Sequence, residues 1–129
     1  MNLCEIVGNA STDCQTVLSN TRLVNEVPSY LEANTCEHSV KQLIRGLMNH
    51  AICNATGDTI RLLAKKYNGL ILVQVKYNSS RSTFIAEEEL ETMRPVAEMI
   101  GGCIYIAHGI FGQTTISFTF LNKKMALVA

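Results

Sequence analysis

At 129 residues the chain can bury one core and is too short for two domains of ordinary size. Hydrophobic residues make up 47%, which excludes a disordered chain, and a formal net charge of 0 gives no electrostatic case for nucleic acid or an anionic membrane surface. No apolar run approaches the ~20 residues of a membrane span, so no direct membrane contact is expected.

The N-terminus lacks the basic-then-apolar layout of a signal peptide. The five cysteines (Cys4, Cys14, Cys36, Cys53, Cys103) are odd in number and show no C-x-x-C spacing, so neither zinc nor a disulfide framework is indicated. The expectation is five free thiols in a reducing cytoplasmic compartment.

Residues 3–18 place Leu3, Ile6, Val7, Ala10, Cys14, Val17 and Leu18 on one side of a helix, with Gly8 as a possible break. Residues 21–27 alternate and read as a half-buried strand. Pro28-Ser29 is a turn, and 30–33 a short strand. A central helix over 35–53, capped by Asn34 or Thr35, buries Val40, Leu43, Ile44, Leu47, Met48, Ala51 and Ile52.

Two strands follow, 59–67 and 70–77, joined by Asn68-Gly69, which favours a type I′ hairpin turn. Residues 78–83 read as a loop. Helical spacing returns over 86–100, with Leu90, Met93, Ala97 and Ile100 inward. Pro95 either kinks that helix or starts a second one, and Gly101-Gly102 ends it. Strands at 103–107 and 114–121 close the domain, and 122–129 reads as a tail.

The order is therefore helix, strand, strand, helix, strand, strand, helix, strand, strand. Three helices must cover one face of the sheet and leave the other comparatively open. The expected fold is a single α/β (α+β) two-layer sandwich over 1–129, core about 3–121, with a mixed, mostly antiparallel sheet. Leu43, Leu47, Ala51, Leu62, Val73, Val75, Val96, Ile104, Ile106, Ile116 and Phe118 are the expected core.

The stretch 43–60, with Leu47, Met48 and Ala51, resembles the N-box helix of the GHKL (Bergerat-fold) ATPases, most closely the sensor histidine kinases, whose pattern runs N-L-L-x-N-A-x-K-(F/Y)-(T/S). A second anchor lies between Arg94 and Phe120. There Val96, Ile100, Gly101-Gly102, Ile104, Gly112, Thr114-Thr115 and Phe118 are similar to the family ending I-V-E-x-x-G-G-x-I-x-(V/L)-x-S-x-x-G-x-G-T-x-F-x-F.

The resemblance implies where a nucleotide site would lie, and at those positions this chain departs from the pattern. His50 stands at the Mg²⁺-binding Asn, and Gly46 at the polar residue one turn earlier. Tyr77 stands where D-x-G-x-G supplies the adenine-binding Asp, followed by Asn78, Ser79, Ser80 and Arg81 with neither glycine. Glu87, Glu88 and Glu89 stand where the lid's second glycine motif would meet phosphate, and too few residues separate Ser80 from Ala86 for the family's lid.

Gly112-Gln113-Thr114-Thr115 is retained. Read without the family, the glutamates are a solvated first helical turn and His50 is an ordinary side chain on a polar helix flank. No Walker A pattern and no Ser/His/Asp, Cys/His or paired-carboxylate constellation is present. The phosphoacceptor motif of a kinase is absent as well.

The degenerate positions Gly46, His50, Tyr77, Ser79, Arg81, Glu87, Glu89 and Thr115 imply a histidine-kinase-like pseudoenzyme. It would need no cofactor or metal and would act through a protein partner in two-component signal transduction. The alternative is an ATP-binding catalytic domain with a rearranged site, using ATP and Mg²⁺.

Overall fold

The computed structural model describes residues 1–15, 21–56, 59–78, 90–109 and 112–122, and of residues 14 and 15 the backbone alone. Among them are helices α1 (Leu3–Gln15), α2 (Glu37–Asn54) and α3 (Arg94–Met99). The strands are β1 (Arg22–Asn25), β2 (Thr59–Tyr67), β3 (Leu70–Asn78), β4 (Cys103–His108) and β5 (Gln113–Leu121). The sheet order is β1-β2-β3-β5-β4. β1 runs parallel to β2, and every other pairing is antiparallel.

α1 begins at Asn2, whose side-chain oxygen accepts the Glu5 backbone N–H at 2.9 Å and so caps the helix. It is unbroken at Gly8, and Leu3, Ile6, Val7 and Ala10 are buried. α2 buries Val40, Leu43, Ile44, Leu47, Met48 and Ala51 along one stripe, as a helix packed on a sheet must. Cys36 occupies its N-cap position and makes no side-chain cap bond, so neither Asn34 nor Thr35 caps it. At its far end Thr56 donates to the Asn78 carbonyl at 2.8 Å, which ties the exit of α2 to the end of β3.

The β2–β3 hairpin falls where Asn68-Gly69 places it, with Tyr67 opposite Leu70. Only Asn68 of the two turn residues is left-handed (φ +49°), so the turn is not type I′, which requires both.

Pro95 starts a helix instead of kinking one. Leu90 is helical, residues 91–93 form a turn, and α3 opens with Pro95 in its first turn, where its missing N–H costs nothing. The expected helix over 86–100 is thus interrupted in its described part; 86–89 lie outside the described residues. α3 ends in a Schellman arrangement. Gly101 N–H bonds the Glu98 carbonyl at 3.0 Å and Gly102 N–H the Ala97 carbonyl at 2.9 Å, with Gly101 at φ +74°. A Cβ on Gly102 would stand 1.5 Å from the Thr119 carbonyl oxygen, so only glycine fits there.

Burial alternates along the strands. Ile60, Leu62, Ile71, Val73, Val75, Tyr77, Ile104, Ile116, Phe118 and Phe120 face the helical layer and are buried. Arg61, Lys65, Gln74, Lys76, Thr115 and Tyr105 belong to the other, open face. The fold is the expected two-layer sandwich.

Two further expectations need correction. Residues 30–33 form no strand; a single bridge, Asn2 to Glu32, stands there. Pro28 and the turn at 29–30 carry the chain away from the sheet before a ladder can form. Val96 and Ile106 are half-buried, because α3 is short and β4 is an edge strand, so neither is covered from all sides. Cys4, Cys36, Cys53 and Cys103 are free thiols, and Cys14 lies outside the described side chains.

Candidate functional site

Helical geometry sets Gly46, His50 and Asn54 one turn apart on α2. β3 brings Tyr77 to them from the sheet, one residue before its end at Asn78. The rings of His50 and Tyr77 meet edge-to-face, with centroids 6.5 Å apart and planes at 75°. Both are buried, at 7% and 3% exposure. His50 is therefore not the flank side chain its position suggested; the helix turns it onto the sheet.

Asn54, 3% exposed, donates its amide to the His50 carbonyl at 2.7 Å and stands 3.3 Å from His50 Nδ1. With Asn54 as donor, Nδ1 accepts and the ring proton sits on Nε2. At Gly46, Met93 crosses α2 so closely that a Cβ would lie 2.4 Å from the Met93 sulfur. The helix and the turn before α3 thus touch through the one residue that has no side chain.

Of the sequence-derived positions, the fold brings His50 and Tyr77 into contact and sets Gly46 one turn away under Met93. Thr115 is not with them. It lies opposite Lys76 and Ala107 on the open face, while its neighbour Thr114 is fully buried on the helical side and bonds His108 Nδ1 at 3.3 Å. Ser79, Arg81, Glu87 and Glu89 lie outside the described residues. Sequence reasoning missed Asn54 as a partner, although its place four residues after His50 is the spacing at which helical side chains meet. It named Met93 as inward without seeing what it covers.

The cluster of Gly46, His50, Asn54, Tyr77 and Met93 contains no carboxylate. Among the described residues an amide–imidazole contact lies inside it, between Asn54 and His50. On the outer face of α2 a groove of about 460 Å³ is lined by His38, Lys41, Gln42, Arg45, Gly46 and Asn49. Its two cations are engaged: Arg45 with Asp13 at 2.8 Å, and Lys41 with Glu37 at 3.9 Å. A larger groove, about 730 Å³, lies elsewhere, between β2 and the segment 26–32.

A five-stranded mixed sheet with one helical face defines a two-layer α+β sandwich. The solved structures make that specific. The nucleotide-free catalytic domain of histidine kinase ThkA superposes with a TM-score of 0.82 at 16% identity, over 95% of this chain and 94% of that one.

A histidine kinase from Burkholderia phymatum gives 0.81 at 12% identity, over 95% and 70%. ThkA in complex with the response regulator protein TrrA gives 0.81 at 15%, over 95% and 41%. The chain has the fold of histidine kinase catalytic domains. No protein-family model and no curated relative matches the sequence. No helix among the described residues is long and apolar enough to cross a membrane.

Proposed function

We propose that this is a histidine-kinase-type domain that no longer binds or hydrolyses ATP and works as a cytoplasmic signalling or protein-interaction module. The carrying observation is the buried contact between His50 and Tyr77. The two positions where the kinase pattern has its metal ligand and its adenine carboxylate are joined here by packed rings.

The energetics favour this reading. A millimolar ligand has only about 4 kcal/mol of binding free energy. Opening the cluster exposes two largely buried rings, at roughly 1.5–3 kcal/mol each. An adenine amine left without its acceptor costs about 1–3 kcal/mol more. An imidazole is also a poor exchange for an oxygen ligand to hard Mg²⁺. One similar structure is in complex with a response regulator, which supports a partner from a signalling system.

Calorimetric titration with Mg·ATP tests the reading. No saturable heat is expected up to millimolar nucleotide, with or without Mg²⁺. A saturable isotherm at micromolar concentration would replace it with a catalytic domain whose site is rearranged.

A further inference from the structure

β1 pairs with only the first half of β2, and its register ends at Asn25 opposite Leu62. The next bond is the last on that side: Glu26 N–H donates to the Leu62 carbonyl at 2.8 Å. Backbone groups alternate between the two edges of a strand, so Ala64 and Lys66 direct their N–H and C=O the same way as Leu62. Among the described residues nothing bonds them. Beside this edge, where Ala64 is 5% exposed and Lys66 is exposed, runs the 730 Å³ groove, its far wall the segment 26–32.

The wall is fixed. Leu3 N–H bonds the Leu31 carbonyl at 3.1 Å, and Ala33 N–H the Met1 carbonyl at 2.9 Å. Tyr30 and Tyr67 stand at the groove, 81% and 53% exposed. The charges in the groove are not balanced in use. Glu26 is held by Arg61 through two bonds of 3.0 and 2.7 Å, and Glu32 accepts from Asn2 at 3.5 Å. Lys65 and Lys66 have no ion-pair partner among the described residues.

We propose that the edge of β2 at Ala64 and Lys66 is the docking site for an extended acidic segment of a partner protein, which adds to the sheet as a strand continuing the line of β1. Unmade main-chain bonds at a sheet edge supply affinity, and side-chain pockets supply selectivity. Two engaged carboxylates beside two unengaged lysines select acidic side chains. Rigid tyrosines at the rim give contact area at low entropic cost. The proposal gives the interaction module described above its contact surface and its class of partner. It does not depend on whether nucleotide binds.

The test uses a short fluorescent peptide of alternating valine and glutamate, the same peptide with lysine for glutamate, and the whole chain. The acidic peptide is expected to give a saturable anisotropy change and to slow hydrogen exchange at the Ala64 and Lys66 amides. The lysine peptide should bind about tenfold more weakly or worse. Lys66→Pro removes an N–H that no ladder bond uses and should abolish binding with the urea midpoint little changed. The double variant Lys65→Glu/Lys66→Glu, which leaves the backbone intact, should prefer the basic peptide.

Equal binding of both peptides, binding that survives Lys66→Pro, or protection away from β2 would each overturn the proposal. So would protection of Ala64 and Lys66 without peptide that grows with protein concentration, since a second copy would then be the occupant. A Mg·ATP titration on the same samples keeps the two readings apart. Nucleotide binding with peptide binding ends only the pseudoenzyme reading, and neither binding ends only the docking site.

Discussion

The two ends of the β2–β3 hairpin are finished in opposite ways. At the end near α2, Tyr77 is sealed against His50, Asn54 closes over the imidazole, and Met93 presses on Gly46. At the turn end, Ala64 and Lys66 keep unused backbone bonds beside a groove, with Tyr67 half in solvent. In the histidine kinase pattern the first end is where ligand chemistry belongs. Here that end is filled by the chain's own packed side chains, and the groove and the unused strand edge lie at the other.

The largest expected effect comes from forcing the closed end open. The double variant His50→Asn/Tyr77→Asp restores the residue types of the kinase pattern. It also removes the ring pair and puts a carboxylate at a position that is 3% exposed. Loss of a buried aromatic side chain costs about 3–5 kcal/mol, and an unpaired buried charge adds to it. Urea unfolding should therefore show a loss of about 4 kcal/mol or more, with no protection by millimolar Mg·ATP. A variant that kept its stability and gained nucleotide binding would mean the rings are a plug over an intact site, and the contrast between the two ends would collapse.

A middle-sized effect is expected at Gly46→Asn, the polar residue of the kinase pattern. Its Cβ alone would fall 2.4 Å from the Met93 sulfur. Overpacking of this kind costs about 1–3 kcal/mol, partly offset because glycine is a poor helix former. Met93→Ala should relieve part of the loss, and a double-mutant cycle should give a favourable coupling of roughly 0.5–3 kcal/mol. Zero coupling would show that Met93 moves aside freely and that this end is less closed than its geometry indicates.

The fold was largely legible in the sequence. The stripe of Val40, Leu43, Leu47 and Ala51, the Asn68-Gly69 turn, and the alternation of Ile116, Phe118 and Phe120 each follow from local periodicity, and local periodicity survives folding. The failures lie where tertiary contact decides. Residues 30–33 have strand-like composition, yet pairing needs a neighbour, and Pro28 carries the segment off the sheet. Ile106 is as apolar as Ile104, yet only a map of the sheet shows that β4 is an edge.

At the site, the resemblance pointed to His50 and Tyr77 as separate positions. Their mutual contact was not legible, because His50 and Tyr77 are 27 residues apart in sequence and meet only when the hairpin folds under α2. The bare stretch of β2 was equally hidden, since it results from β1 being four residues long against a nine-residue partner.

The smallest expected effect belongs to the open end, at Glu26. The hydrogen bond from Arg61 is the main cause that holds the Glu26 carboxyl below its ordinary value; desolvation opposes it, and the charges of Arg61 and Lys76 add to it. A carboxyl whose pKa is lower folded than unfolded gives stability that is fully present above the unfolded value and is lost as pH falls through the folded one. The pair is exposed, so solvent and salt screen it and the stabilisation is slight. Urea midpoints of the unmodified chain and of Glu26→Gln should therefore differ a little at neutral pH and low salt, and converge both on acidification and on adding salt. Arg61 is also released in that variant, which adds a cation beside Lys65 and Lys66. The acidic peptide should then bind Glu26→Gln somewhat more tightly at neutral pH, most clearly at low ionic strength. An unchanged affinity would show that the groove's charge is set by the two lysines alone. A weaker one would mean that the Glu26–Arg61 pair holds the wall in place, and the open end would then owe its shape to that ion pair as the closed end owes its own to His50 and Tyr77.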